Sequence, residues 1–336
     1  MDKKITMTEL ARLANVDVST VSRALSGSSL VREGTRRRIV ELAEAVGYSI
    51  NVSASNLRRQ SSGAIGMVIP LTPDSDQTIS DPFFLEMVGS VSQAASDHDY
   101  DLIISLPRLA DQVSERRLLR SNRADGLIVI GQADRNARLN ALAEITDRFV
   151  VWGARLDGAS YTTVGSDNTF GGSLAGRHLI AGGCREILFV GDPALPEVQQ
   201  RYRGLINAHA EAGLAWNENR VVRVNFGGRT AFEAVRSALE TAPGIDGIFA
   251  ASDLLAIAAI HAVQAQGRSI PDDVRVVGYD NIGQAAMTTP TLTTISQNIA
   301  QGGEMMVDLL LRKIAGEAVE SAFTPTELIV RESAPG

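Results

Sequence analysis

Five residues in the second half of the chain are of types that together bind hydroxyl-rich small molecules. Asp167, Ser252 and Asp280 each follow a short apolar run, and Arg201 and Phe226 lie in or beside the segments between such runs. Carboxylates and a guanidinium make paired hydrogen bonds to neighbouring hydroxyls, while an aromatic face covers the apolar side of a ring. The chemistry indicated is therefore reversible binding of a ligand such as a sugar.

Each carboxylate also has an ordinary structural alternative. An Asp directly after a strand commonly caps the next helix or closes a turn. We favour that interpretation for Asp192 and Asp253. For Asp167, Arg201 and Asp280, the residues alone leave both interpretations open.

Motifs for catalysis are missing from the sequence. There is no His-Glu-x-x-His, no Gly-x-Ser-x-Gly and no Gly-x-x-x-x-Gly-Lys. The glycine cluster at 171–176 fits close helix packing better than a dinucleotide site. Cys184 is the only cysteine, which excludes a disulfide or a multi-cysteine metal site within one chain. We expect no enzymatic activity, no cofactor and no metal.

An α/β framework must position the polar residues. From Ala64 onward, short apolar runs alternate with helical segments, which is typical of repeated βαβ units and mainly parallel sheets. Ligands of such sheets bind beyond the carboxyl ends of the strands, where the polar residues lie. The length of this region, without a dominant nucleotide motif, indicates two similar lobes.

The first fifty residues instead carry a helix-turn-helix pattern. Thr6 and Glu9 have the spacing of a capping box, so a helix begins directly after Thr6. Asn15 tolerates the left-handed backbone of a tight turn. A second helix is predicted over 18–25 and a third over about 33–46.

The second helix of this motif enters the major groove of DNA. Its outward residues, expected to meet base edges or phosphates, are Val18, Ser19, Ser22 and Arg23. Arg23 is the strongest candidate, because a guanidinium can pair with two acceptors on guanine. The alternative is an ordinary three-helix fragment with a solvated Arg.

Charge is divided unevenly along the chain. The formal net charge is -7, yet residues 1–60 hold 10 Lys and Arg against 6 Asp and Glu, and the remainder holds 22 against 33. A basic head on an acidic body fits phosphate binding by the head, because cations that displace condensed counterions supply the sequence-independent part of DNA affinity. Residues 1–10 contain no apolar stretch of signal-peptide length, and no apolar run in the sequence is long enough to span a membrane, so we expect a cytoplasmic protein.

A short linker joins the two parts. Asn51–Arg58 is too short and too rich in Ser, Asn and Val to form a stable isolated helix. Leu57, beside Arg58 and Arg59, is the kind of apolar wedge that some proteins insert into the minor groove. We predict a linker that folds only on DNA.

Taken together, these residues resemble the lactose-repressor (LacI/GalR) family of bacterial transcriptional regulators over essentially the whole chain. The motifs that carry the resemblance are Thr20-Val-Ser-Arg23, Ala24-Leu25-Ser-Gly27, Gly47-Tyr48, Asn51, Asp81-Pro-Phe-Phe84, Ala124-Asp125-Gly126, Asp167-Asn168, Arg201-x-x-Gly204, Ser252-Asp253, Gly278-Tyr-Asp-Asn281 and Leu292-Thr-Thr-Ile295. Ser252 departs from the family's common Asn at that position, which leaves the identity of the effector open.

The resemblance implies an all-α helix-turn-helix head, a hinge helix and a two-lobed α/β core like that of periplasmic sugar-binding proteins, with three crossings between the lobes. The implied divisions are a DNA-binding domain at 1–50, a hinge at 51–62 and a core at 63–336, in which lobe 1 comprises about 63–164 and 293–325, and lobe 2 about 165–292 and 326–332.

The resemblance also extends the two sets of candidate residues. The residues expected at DNA are Thr6, Val18, Ser19, Thr20, Ser22, Arg23, Asn51, Ala54 and Leu57. The residues expected to line an effector cleft are Phe83, Phe84, Asp167, Arg201, Phe226, Ser252, Asp280 and Gln297, with Arg108 and Trp152 added only because they lie near strand ends.

The expected function is that of a repressor which binds a palindromic DNA operator as a homodimer, or alternatively a tetramer, under control of a small carbohydrate effector. While bound to its operator, it would be associated with the nucleoid. Two other functions stay open: a sugar-binding protein without DNA function, and an enzyme on a doubly wound fold. A sugar-binding protein without DNA function would leave the basic head unexplained. An enzyme would need a phosphate loop or an acid-base pair, and we find neither in the sequence.

Overall fold

A computed structural model describes residues 5–25, 28–48, 61–71, 77–107, 114–132 and 136–336. The chain divides into two compact units, a head of residues 1–62 and a body of residues 63–336. Each unit is described by itself.

The described residues of the head form three helices, which are α1 (Met7–Ala14), α2 (Val18–Leu25) and α3 (Glu33–Ala45). Thr6 caps α1 in a complete capping box: its hydroxyl accepts the Glu9 backbone N–H at 3.2 Å, and its own backbone N–H donates to the Glu9 carboxylate at 2.8 Å. Asn15 follows with a φ of 52°. Leu10, Val21 and Ile39 are fully buried at the centre of the three helices.

Within the described ranges of the body, twelve strands form two six-stranded sheets. They are β1 (Ala64–Val68), β2 (Asp101–Ser105), β3 (Gly126–Ile130), β4 (Phe149–Trp152), β5 (Thr162–Ser166), β6 (Ile187–Val190), β7 (Val221–Val222), β8 (Gly247–Ala250), β9 (Arg275–Asp280), β10 (Thr293–Ser296), β11 (Ala322–Thr324) and β12 (Glu327–Ile329).

Helices cover both sheets. They are α4 (Pro82–Asp97), α5 (Ser114–Arg120), α6 (Asn136–Ala143), α7 (Asn168–Ala181), α8 (Pro196–Glu211), α9 (Gly228–Thr241), α10 (Asp253–Ala265) and α11 (Ile299–Ile314), with a 3-10 turn at Gly283–Ala286. Because helices lie on both faces, the central strands β1, β3, β4, β6 and β8 are buried at every position, which explains their uninterrupted apolar runs.

The strand orders are β11-β5-β4-β3-β1-β2 in the first sheet and β12-β10-β9-β8-β6-β7 in the second. All pairs are parallel except β10 with β12. The chain passes between the sheets after β5, after β10 and after β11, so two lobes share three crossings. The predicted two-lobed, mainly parallel fold is confirmed.

One expected boundary has to be moved. The segment from 293 was assigned to the first lobe, but Thr293–Ser296 forms β10, which pairs in parallel with β9 of the second sheet. The second crossing therefore comes after Ser296. The helix that follows, α11, packs against α4, β3 and β4 of the first lobe.

Two glycines allow α7 and α8 to cross at very short range. A Cβ on Gly172 would overlap the carbonyl oxygen of Arg201, and a Cβ on Gly204 would overlap that of Thr169. Since both obstacles are backbone atoms, neither can be relieved by a rotamer change. The crossing confirms close packing for the glycine cluster at 171–176 and fixes the helix that carries Arg201.

We expect Gly204→Ala to destabilise the body by about 3 kcal/mol, because overpacking against backbone forces the two helices apart. The control is Gly228→Ala at the start of α9, where a Cβ would make only ordinary contacts of 3.8 Å with Leu254. This control should change stability by less than about 0.5 kcal/mol. Equal melting temperatures for the two variants in calorimetry would contradict the close crossing.

Candidate functional site

A cleft with a cavity volume of about 140 Å³ lies between the two lobes of the body. Strand ends and helix starts from both sheets surround it. The residues that line it are Pro70, Gln77, Asp81, Phe83, Phe84, Ile130, Gly131, Gln132 and Trp152 from the first lobe, and Leu195, Glu197, Arg201, Asn225, Phe226, Ser252, Asp280 and Gln297 from the second lobe or the segment beyond β10.

The first lobe supplies an aromatic wall. The ring of Phe83 lies 5.5 Å from that of Phe84 and 6.4 Å from that of Trp152, measured between centroids, and both pairs are tilted. Phe226 faces the cleft from the second lobe. Aromatic faces of this kind cover the apolar side of a flat or ring-shaped ligand.

Arg201 lies at the polar end of the cleft, where it is 4% exposed. Its Nε donates to Asn168 Oδ1 at 2.8 Å, Nη1 to the Ala251 carbonyl at 2.5 Å, and Nη2 to Gln297 Oε1 at 3.3 Å. The guanidinium also lies 3.7 Å above the centroid of the Tyr279 ring. These contacts fix the orientation of the guanidinium.

Asp280 and Gln297 complete this polar end. Asp280 lies 4.0 Å from Arg201 Nη1 and accepts a 2.5 Å hydrogen bond from Gln297 Nε2. The Ser166 hydroxyl reaches Gln297 Oε1 at 3.1 Å. Ser166 ends β5 of the first sheet and Gln297 follows β10 of the second, so the hydrogen bonds link two of the three crossings.

Burial changes the acidity of the carboxyl groups in the cleft. It raises the pKa of Asp280 well above its usual range, although the nearby Arg201 guanidinium acts in the opposite direction. Burial also raises the pKa of Asp81, which accepts the Phe83 backbone N–H at 3.0 Å and Gln77 Nε2 at 3.1 Å. A neutral hydroxyl that donates to these groups would relieve part of their desolvation.

Glu197 is the third carboxylate of the cleft. It lies in the first turn of α8 and lines the cleft together with Gln132 of the first lobe. Burial raises its pKa as well.

Most of the predicted cleft residues lie together. The predicted residues found in the lining are Phe83, Phe84, Trp152, Arg201, Phe226, Ser252, Asp280 and Gln297. Ser252 also caps α10, since its hydroxyl accepts the Leu255 backbone N–H at 3.3 Å. Arg108 lies outside the described residues.

Asp167 is the exception. It does not line the cleft, because its exposed carboxylate caps α7 by accepting the Phe170 backbone N–H at 2.9 Å. The next residue, Asn168, is the one that contacts Arg201. The structural alternative thus describes Asp167 better than the ligand-binding interpretation.

Asp192 has the favoured role of a turn residue, whereas Asp253 has a structural role but caps no helix, since Ser252 is the cap of α10. Asp192 accepts the Ala194 backbone N–H at 3.1 Å in a turn. Asp253 is fully buried, accepts the Thr294 hydroxyl at 2.5 Å and the Ile282 backbone N–H at 2.9 Å, and does not line the cleft.

Sequence reasoning did not select Asp81, Glu197 or Gln132 as cleft residues. The sequence identifies Asp81 only as part of the Asp81-Pro-Phe-Phe84 motif, although its position before a Pro at a helix start indicates a helix cap. Glu197 precedes Arg201 by four residues, so both project from one face of α8. That spacing was the available signal for Glu197.

The candidate DNA-binding residues of the head lie mainly on one helix. On α2, Val18, Ser19 and Arg23 are exposed, whereas Thr20 and Ser22 are half-buried. Thr6 is exposed at the start of α1. The other residues expected at DNA, which are Asn51, Ala54 and Leu57, lie outside the described part of the chain.

The described residues offer neither a metal site nor a membrane-spanning helix. No group of three or more His, Cys, Asp or Glu side chains in the described ranges is placed to hold a metal ion. No described helix is long and apolar enough to cross a membrane.

Comparison with known proteins identifies both parts of the chain. Residues 6–51 match the model of bacterial regulatory proteins of the lacI family, and residues 177–334 match that of a periplasmic binding protein-like domain. The ribose operon repressor of Halalkalibacterium halodurans is 31% identical over 98% of this chain and 97% of its own length. The chain belongs to the lacI family of bacterial regulatory proteins. As a lacI-family protein it is a DNA-binding transcriptional regulator and not an enzyme, which confirms the predicted class and excludes the enzyme alternative.

Further proteins also match nearly the whole chain. The HTH-type transcriptional regulator CelR of Thermobifida fusca is 30% identical over 98% of both chains. A solved CelR-cellobiose complex covers 98% of this chain and 100% of its own, at 29% identity and a TM-score of 0.72. The lac repressor dimer bound to operator and the anti-inducer ONPF covers 99% and 100%, at a TM-score of 0.86 and 22% identity, and supports the fold.

We expect Arg201→Lys to lower the stability of the body by about 3 kcal/mol, because an ammonium cannot satisfy Asn168, Ala251 and Gln297 in three directions and leaves buried acceptors unpaired. The control is Arg203→Lys on the same helix, an exposed position that should change stability by less than about 0.5 kcal/mol. Calorimetry of both variants measures the difference. A melting temperature of Arg201→Lys equal to that of the control would argue against the described network.

Proposed function

We propose that this regulator is a homodimeric repressor which binds a palindromic operator and releases or retains it according to a sugar or glucoside bound in the cleft of the body. The observation that carries the proposal is the cleft: an aromatic wall from one lobe opposes the hydrogen-bonded Arg201, Asp280 and Gln297. This is the composition expected for a ligand with one apolar face and several hydroxyls.

Relatives support a carbohydrate as the effector class. One is named a ribose operon repressor, and another was solved as a complex with cellobiose. The cleft contains carboxyl groups, side-chain amides and, among its described lining residues, one guanidinium. These groups can accept hydrogen bonds from hydroxyl groups and donate hydrogen bonds to them.

In the head, α2 is the helix we assign to the major groove. Arg23 and Ser19 are exposed there, and Arg23 has the length and the paired donors to read guanine. A dimer of such heads requires two half-sites related by a two-fold axis, so the operator is a palindrome. The lac repressor structure is described as a dimer bound to operator, which supports the homodimer rather than the tetramer.

Control by the effector requires two states of the protein. A sugar that binds the DNA-incompetent state more tightly lowers operator affinity, and one that prefers the competent state raises it. The linker 51–58, which lies outside the described residues, is the segment we assign to this coupling. The protein acts in the cytoplasm, where its operator is located, and is associated with the nucleoid when bound.

Selection from a random duplex library with the full-length chain is expected to recover a palindrome. Arg23→Ala should weaken binding to the selected duplex by about 1–3 kcal/mol, or about 5- to 150-fold, because a base contact is lost. Binding to random competitor should fall far less, since that binding depends on phosphates. Titrations at one fixed salt concentration give both affinities.

The control for this experiment is Arg12→Ala, an exposed arginine on α1. Its loss should alter binding to selected and random duplexes by similar factors and leave their ratio within about 2-fold, as expected for a group that reads no base. If the wild-type chain prefers no duplex over random competitor, the proposed function is wrong.

A further inference from the structure

The charge of the cleft is unbalanced among the described residues that line it. Three carboxyl groups face it, from Asp81 on the first lobe and from Glu197 and Asp280 on the second. Among the described lining residues, Arg201 supplies the one cationic side chain. The remainder of the chain after residue 60 is also acidic, with 22 Lys and Arg against 33 Asp and Glu.

The Arg201 guanidinium already makes hydrogen bonds and an ion pair within the protein. Three of its donors reach Asn168, the Ala251 carbonyl and Gln297 at 2.5–3.3 Å, and its charge lies 4.0 Å from Asp280. One face of the guanidinium rests on the Tyr279 ring. A ligand anion would have to displace these partners to form a paired contact with Arg201.

Two helix starts at the cleft are capped by the chain's own side chains. In open α/β sheets the free N–H groups at such starts commonly bind anions. Here the Asp81 carboxylate caps α4 and the Ser252 hydroxyl caps α10, whereas α8 and α9 begin without a side-chain cap and α8 has the acidic Glu197 in its first turn. At the two capped starts, the chain's own oxygens take the positions that a phosphate or carboxylate would need.

We infer that the cleft selects an uncharged, hydroxyl-rich ligand and excludes sugar phosphates and uronic acids. Hydroxyl groups can exchange hydrogen bonds with the carboxyl groups of Asp81 and Glu197 in either protonation state, whereas a ligand anion would meet three carboxyl groups and no uncommitted cation among the described lining residues. The hydrogen-bond donors to Asp81 are the neutral N–H groups of Gln77 and Phe83, which bring no positive charge to the cleft. The inference rests on the proposed function and specifies the class of its effector.

The test uses isothermal titration of the full-length chain with neutral sugars and their anionic counterparts: D-glucose, D-glucuronate and D-glucose 6-phosphate; D-galactose and D-galacturonate; D-ribose and D-ribose 5-phosphate; and cellobiose. We expect at least one neutral sugar to bind, and its anionic counterpart to bind at least about 100-fold more weakly, because facing like charges are strongly unfavourable. A hexose and its uronate have nearly the same size, so that comparison isolates charge.

Two variants connect the selectivity to the named carboxylates. Glu197→Gln and Asp81→Asn keep the side-chain shape and remove one charge, and each should reduce the preference for the neutral sugar by about 10-fold. Glu211→Gln is the control: it lies on α8 as well, but its carboxylate pairs with the exposed Arg177 away from the cleft. Its preference should equal that of the wild type. An unchanged preference in both cleft variants would overturn the electrostatic explanation.

Other results would also overturn the inference. An anionic sugar that binds as tightly as its neutral counterpart contradicts it directly. Binding of no neutral sugar in the set contradicts the ligand class. Selection of a palindromic duplex by the same preparation would show that the DNA-binding part of the proposed function still stands.

Discussion

The guanidinium of Arg201 is buried between the two lobes, and a charge in that position is tolerated only when it is paired and hydrogen-bonded. Its partners come from separate parts of the fold: Asn168 at the start of α7, Asp280 at the end of β9 and Gln297 just after β10. Arg201 can reach all three because Gly204 allows α8 to approach α7. One buried cation therefore joins residues from α7, β9 and the segment after β10 at the polar end of the cleft.

Local rules were sufficient where the structure depends on neighbouring residues. The capping box of Thr6 and the left-handed Asn15 determine the start and the end of the first helix, and both were predictable from residue type and spacing. Ser252 and Asp280 could be placed at the cleft because each follows a buried parallel strand, and the carboxyl ends of such strands meet at one edge. Phe83 could be placed only through the family resemblance.

Sequence reasoning failed where the outcome depends on distant pairing. Asp167 directly follows a strand and Asp280 ends one, but the Asp167 carboxylate accepts the Phe170 backbone N–H of the helix that starts beside it and does not line the cleft. The assignment of 293–296 was wrong because strand pairing with β9 is not visible in a short apolar run. Glu197 and Gln132 belong to different lobes, so their presence in one cleft depends on how the two lobes pack.

In the proposed function, the cleft and the head are coupled parts of one regulator. Its most direct test is the operator affinity of the full-length chain at one fixed salt concentration, measured with and without a saturating neutral sugar that has been shown by titration to bind. We expect the sugar to change the operator dissociation constant by about 5- to 150-fold, the range of ordinary allosteric coupling. An unchanged dissociation constant while the sugar is bound would contradict the account.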